Sequence, residues 1–190
     1  MRKTTSGFSI VELLIVITVI AILAGISLVV YNGTQQRART SQTLATAEQW
    51  VKGLMIYKAR NGGLPTMNSC LGAGYGYNSD GLGASGTGQC YQNTATGYTV
   101  DSAFSTAMST YMSGSPSPAM VSAVNSTTFW YRGLMYSVSG GVAQITFVLD
   151  KGQTCPNSLA EYDRTQTFAM ADGDVVCVYA IGSTTSYNFN

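Results

Sequence analysis

The chain has 190 residues, room for one domain and an appendage, with a formal net charge of +1 and no histidine. Charged residues make up 10% of it, where about 25% is usual for a soluble domain, so its surface is largely neutral and polar and suits packing or adhesion more than solubility. The missing histidine removes the commonest general base and metal ligand and disfavours an enzyme, while the balanced charge disfavours nucleic acid as the main partner.

After Met1 to Phe8 comes an apolar run from Leu13 to Tyr31, interrupted by the small residues Thr18, Gly25 and Ser27 and carrying no charge. As a helix it spans roughly 28 Å, close to the ~30 Å hydrocarbon core of a bilayer. The run is longer than the apolar region of a cleaved secretory signal, and Leu23-Ala24-Gly25 is a poor cleavage site for one. A cytosolic core helix is not apolar all round for so long. A plain membrane anchor fits the length but leaves Glu12 unexplained, since a carboxylate at the lip of such a segment costs several kcal/mol to bury.

The carboxylate has a place in a fourth reading. Gly7-Phe8-Ser9-Ile10-Val11-Glu12-Leu13-Leu14-Ile15-Val16, behind a short basic leader with Arg2 and Lys3, closely resembles the N-terminal signature of type IV prepilins and pseudopilins. The resemblance implies cleavage between Gly7 and Phe8, where the peptidase needs a position without a side chain, and N-methylation of Phe8. It implies that Glu12 pairs with the terminal amine of a neighbouring subunit and sets register in a filament core, two costly charges becoming tolerable together. It further implies an α+β, pilin-like fold: a long N-terminal helix, apolar then amphipathic, packed on a C-terminal antiparallel sheet. The expected organisation is a removed leader (1–7), a transmembrane and filament-core helix (8–33) and a globular head (34–190). The implied partners are other copies of the chain in a filament, a prepilin peptidase that also methylates, an inner-membrane platform, an assembly ATPase and the membrane itself. No cofactor is implied. The resemblance covers about the first 65 residues. One departure is the absence of a helix-weakening proline before Pro65; Gly25, Ser27 and Gly33 are the candidates to weaken the helix instead. Arg2 and Lys3 before the apolar run balance Arg37 and Arg39 after it, so the flanking charges leave orientation undecided. The resemblance places the leader in the cytoplasm and the head outside.

From residue 34 to 61 the pattern turns amphipathic: Leu44, Ala47, Val51, Leu54 and Met55 recur at helical spacings, and Trp50 and Tyr57 widen the stripe. Gly62-Gly63 and then Pro65 end the helix. Arg37, Arg39, Lys52, Lys58 and Arg60 cluster on this stretch and read as a solvated face. The glycine-rich stretch 62–100 reads as an ordered loop. Cys70 and Cys90 bracket most of it, and Cys155 and Cys177 bracket a turn-rich stretch near the C-terminus. Four cysteines allow three connectivities; the bracketing favours the sequential pairs, and neither pair has the close spacing of a zinc or redox site. A short helix is expected over Asp101 to Met112, ended by Gly114 and the Ser115-Pro116-Ser117-Pro118 turn.

The β signal lies in 128–182. Phe129 to Val138 and Val142 to Leu149 read as a hairpin around Ser139-Gly140-Gly141, and Thr167 to Met170 pairs with Val175 to Ile181 around Asp172-Gly173-Asp174. Those aspartates read as turn residues in preference to calcium ligands. The expected head is three or four antiparallel strands on the amphipathic half of the helix. Asn32-Gly33-Thr34 and Asn125-Ser126-Thr127 match the N-glycosylation sequon. The function expected from all this is a structural filament subunit without catalysis. The rivals are a minor pilin or pseudopilin of a secretion or DNA-uptake system, and a membrane-anchored binding module that uses its tyrosine- and glycine-rich loop.

Overall fold

The computed structural model describes residues 9–75, 88–126 and 129–183, with the side chains of 26–30, 32 and 183 left aside. The chain divides into two compact units, residues 1–37 and 38–190. Helix α1 runs Ile10–Asn61 and contributes to both. It ends where Gly62 takes a left-handed φ of 78° and its N–H reaches Lys58 O at 2.9 Å, a conformation that costs a glycine little.

Within the second unit the amphipathic stripe of α1 is the spine of the core. Ala47, Trp50, Val51 and Leu54 are buried, with Leu44, Met55 and Tyr57 packed at their margins. Against this stripe lies a six-stranded antiparallel sheet in the order β1-β6-β7-β10-β9-β8. Its strands are β1 (Ser69–Cys70), β6 (Leu134–Ser139), β7 (Val142–Leu149), β8 (Ser158–Leu159), β9 (Tyr162–Ala169) and β10 (Val175–Ser183). Alternation along β10 sorts the sheet's two faces: Cys177, Tyr179 and Ile181 join the helix side, and Val176 and Val178 the other. The short helix α2 (Ser102–Ser109) closes the helix layer. The Asp101 carboxylate accepts from Phe104 N at its N-terminus, and Phe104 and Met108 are buried in the same core.

A second antiparallel sheet covers part of the far face, in the order β3-β2-β5-β4. It is built from β2 (Gln89–Gln92), β3 (Gly97–Thr99), β4 (Ser122–Ser126) and β5 (Phe129–Arg132). Val121 and Ala123 meet Val148, Val176 and Val178 between the two sheets. The α+β, pilin-like arrangement of a long N-terminal helix followed by antiparallel sheets is therefore present, in a fuller form than three or four strands.

Two expectations need correction. The stretch 62–100 is not wholly loop: β1, β2 and β3 lie in it, two to four residues each and too short for a period-two signal, and they pair with β6, β5 and β2 respectively. Residues 76–87 of that stretch lie outside the described ones. Phe129 to Val138 is not one strand either. It breaks at Gly133, leaving β5 in the second sheet and β6 in the first. Gly133 has φ 59°, and a Cβ there would stand 2.9 Å from the Tyr75 hydroxyl. That hydroxyl donates to Leu134 O at 2.7 Å and accepts from Leu134 N at 3.0 Å, so the crossing point is occupied. Burial pushes the Tyr75 hydroxyl far above the usual phenol range, so it stays a donor.

Gly133→Ala combines left-handed strain with a clash against the Tyr75 network and is expected to cost about 2 kcal/mol or more, a fall of roughly 4–8 °C in Tm. Gly140→Ala shares the conformation (φ 58°) but has open space around it. It should cost about 1 kcal/mol from strain alone. Thermal unfolding of the detergent-solubilised protein separates the two; equal losses would remove the role given to the Tyr75 contact.

Candidate functional site

The first turns of α1 carry the feature the sequence singles out. Ile10 is 82% exposed, Leu13 62% and Ile20 59%, and every described side chain from Ile10 to Gly25 is exposed, on all sides of the helix. Burial of each large aliphatic side chain is worth about 1.5–3 kcal/mol, so this segment gains greatly from any apolar surrounding. Thr18 is its polar interior residue, and its hydroxyl is returned to Ile15 O at 2.8 Å. Among the described residues, no helix is long and apolar enough to cross a membrane. The apolar run of the sequence continues through positions 26–30, whose side chains lie outside that set.

Glu12 begins this segment. Its Oε2 accepts from Ser9 N at 2.9 Å, while Ser9 Oγ accepts from Val11 N at 3.3 Å and Ser9 O from Leu13 N at 3.3 Å. This is a capping box, in which Ser9 and Glu12 satisfy donors at the helix start and the carboxylate sits at the positive end of the helix dipole. Ser9 was passed over in the sequence reading, although Ser-x-x-Glu ahead of an apolar run was its signal. Gly7 and Phe8 lie outside the described residues, so the cleavage position has no structural description.

The four cysteines form two disulfides, Cys70–Cys90 and Cys155–Cys177, with Cα–Cα distances of 5.5 and 5.7 Å. The first joins β1 of the six-stranded sheet to β2 of the second. The other fastens the loop after β7 to β10 inside the main core. The aspartates of the β9–β10 turn act as acceptors for backbone. Asp172 accepts from Val124 N at 2.6 Å and Asp174 N at 3.0 Å, and Asp174 from Lys151 N at 2.8 Å. Among the described residues no group of three or more His, Cys, Asp or Glu is placed to hold a metal ion. Of the helix cations, Arg39 pairs with Asp150 at 3.2 Å, and Thr40 bonds Gln153 at 3.3 Å beside it. Arg37, Lys52 and Arg60 are exposed.

An open cleft of about 530 Å³ lies between α1 and the β8–β9 turn, floored by Val51, Lys52, Met55 and Ile56. The turn beside it has Ala160 and Glu161 at φ 45° and 77°, positions where glycine or asparagine is usual and which no sequence signal announced.

The prokaryotic N-terminal methylation motif matches residues 2–28. The chain is similar to the fimbrial protein of Neisseria meningitidis serogroup A / serotype 4A, 32% identical over 72 residues, which are 38% of this chain and 42% of that protein. The match thus spans less than half of that relative. No solved structure matches the chain. Both findings support the resemblance to type IV pilins.

Asp174 supplies a pH test of the head. Burial raises its carboxyl above the ordinary 3.8, the Lys151 N–H opposes that, and Asp172 and Asp150 add to it. A carboxyl raised in the folded state binds protons more tightly there than in the unfolded chain. Stability therefore falls as pH rises from the ordinary value through the raised one. Asp174→Asn keeps the acceptor for Lys151 and removes the charge, so its Tm should equal or exceed that of the parent at neutral pH. Any advantage should vanish below pH 3.8. A lower Tm for the variant at neutral pH would show that the charge itself is needed.

Proposed function

We propose that this chain is a structural subunit of a type IV pilus-like filament, with no catalysis of its own. The observation that carries the reading is the uniformly exposed apolar start of α1, which lies within the residues that match a prokaryotic methylation motif. A side-chain surface of that kind is satisfied first by lipid and then by copies of itself, which is how a subunit passes from a membrane into a filament. The similarity to a fimbrial protein supports the same conclusion, and in this reading the head stands at the cell surface.

In this reading a prepilin peptidase cuts between Gly7 and Phe8 and methylates Phe8, and an inner-membrane platform with its ATPase draws the subunit out of the membrane. Ser9 then becomes the second residue of the mature chain, and Glu12 already stands in the first turn of the helix. Pairing of Glu12 with the terminal amine of a neighbouring subunit sets the axial register and replaces the Ser9 N–H as the carboxylate's partner. Residues 1–7 form the leader, 8–33 the membrane and filament-core helix, and 34–190 the head. The two disulfides fit an oxidising compartment for that head, outside the cytoplasm. A minor pilin or pseudopilin of a secretion or DNA-uptake system would share all of these features, differing in copy number and position.

Glu12→Ala is expected to leave cleavage and membrane insertion near the parental level and to reduce incorporation into sheared filaments at least tenfold. Wild-type filament yield from that variant would overturn the register role. Retention of residues 1–7 in the mature chain, read by mass spectrometry of the native protein, would overturn the filament reading in favour of a membrane-anchored binding module.

A further inference from the structure

With all four cysteines in disulfides, the reduced sulfur of the chain is that of its methionines. The head holds these in different ways. Met108, Met135 and Met170 are buried in its apolar clusters. Met112 borders smaller clefts, but its sulfur lies against α1: a Cβ on Gly53 would stand 2.6 Å from Met112 Sδ. Met120 Sδ is covered in the same manner, 3.2 Å from where a Cβ on Gly133 would stand.

Met55 is placed differently. It is partly exposed and lines the open cleft of about 530 Å³ between α1 and the β8–β9 turn. Its Sδ accepts a hydrogen bond from the Tyr162 hydroxyl at 2.8 Å, and among the described residues it is the methionine sulfur so engaged. The turn that brings Tyr162 over Met55 holds Ala160 and Glu161 at φ 45° and 77°, left-handed conformations that side-chain-bearing residues adopt under constraint. Burial, and then the Glu161 carboxylate, raise the Tyr162 hydroxyl above the usual phenol range, so it stays a donor.

We propose that Met55 is an oxidation site, its thioether the substrate for a peroxide-class oxidant that enters through the cleft, with Tyr162 as the donor that receives the product. In the step, Met55 Sδ attacks one oxygen of hydrogen peroxide through the lone pair that Tyr162 does not use. The S–O bond forms as the O–O bond breaks, the departing hydroxide takes the proton of the transferred oxygen, and water leaves. Sulfur is oxidised by two electrons and the peroxide is reduced. A thioether sulfur is a weak acceptor and a sulfoxide oxygen a strong polar one, so the Tyr162 hydrogen bond passes from sulfur to oxygen and the contact between α1 and the β8–β9 turn is kept. Sulfoxide reductases reverse the change, which makes Met55 a repairable mark on the head.

The test exposes the detergent-solubilised full-length protein to hydrogen peroxide over a time course and maps each methionine by peptide mass, beside Met55→Leu and Tyr162→Phe. One oxygen should appear on Met55 at least about fivefold faster than on Met112 or Met120, and Met55→Leu should lose that fast phase alone. After oxidation, Tm should fall further in Tyr162→Phe than in the parent, because the sulfoxide then has no donor. Oxidation of Met55 no faster than that of Met112 and Met120 overturns the site, and equal falls in Tm overturn the part given to Tyr162. Both readouts are taken on purified protein, so the reading of the chain as a filament subunit stands or falls separately.

Discussion

Trp50 is where the head's layers meet. Its ring lies 6.1 Å from Phe104 of α2, Phe104 lies 5.2 Å from Tyr136 of β6, and the indole N–H is taken by Pro116 O at 2.9 Å. The amphipathic part of α1, the short helix and the six-stranded sheet are thereby fixed to one another through rings that bury large apolar areas while their polar tips find partners. Nearby, Thr46 Oγ1 and Gln42 Nε2 both donate to Ser117 O, so the proline-rich turn after α2 is bound along the helix. Although this part of the helix carries several cations, Arg39 with Asp150 is its ion pair among the described residues, and an exposed pair is worth little, so the placement of the helix rests on this buried stripe.

Everything on the far side of the main sheet depends on how the chain crosses between sheets. Gly133 makes one crossing, held by Gly133 N to Val121 O at 2.9 Å and Val148 N to Gly133 O at 3.0 Å. The Cys70–Cys90 disulfide makes another, from β1 to β2. Closing a loop of about 20 residues in this way removes roughly 3 kcal/mol of unfolded-chain entropy. Between the sheets the aromatic residues Tyr91, Tyr131 and Phe168 form a continuous row, with Tyr91 and Tyr131 4.9 Å apart and Tyr131 and Phe168 5.7 Å. Burial pushes the Tyr131 hydroxyl up to about 12, consistent with a ring packed into the layer. Tyr91 and Tyr131 therefore support packing between the layers.

The first unit obeys a different physics. Its apolar side chains face outward, and its one acidic group is held at the helix start by Ser9. Such a surface is unfavourable in water and gains from lipid or from other apolar helices, whereas the head is closed on itself by three buried apolar clusters and two disulfides. The contrast between an unsatisfied helix and a satisfied head is what a subunit needs if it is to assemble through one part and present the other.

By itself the sequence determined what depends on neighbours along the chain. The apolar run behind Gly7 and Phe8, the helical stripe from Leu44 to Tyr57, the Gly62-Gly63 stop, the Ser139-Gly140-Gly141 hairpin and the Asp172-Gly173-Asp174 turn are all local patterns. The capping box at Ser9 and Glu12 was equally legible, though passed over. Tertiary structure decided what depends on partners far away in sequence. The division of Phe129 to Val138 between two sheets follows from Tyr75 occupying the crossing point, some 60 residues upstream. Strand β1 pairs with β6, β2 with β5 and β3 in turn with β2, and the left-handed Ala160 and Glu161 are imposed by the pairing of Leu159 with Tyr162. The bulge at Asn125 is likewise a mismatch between two strands, and no single strand's residues encode it.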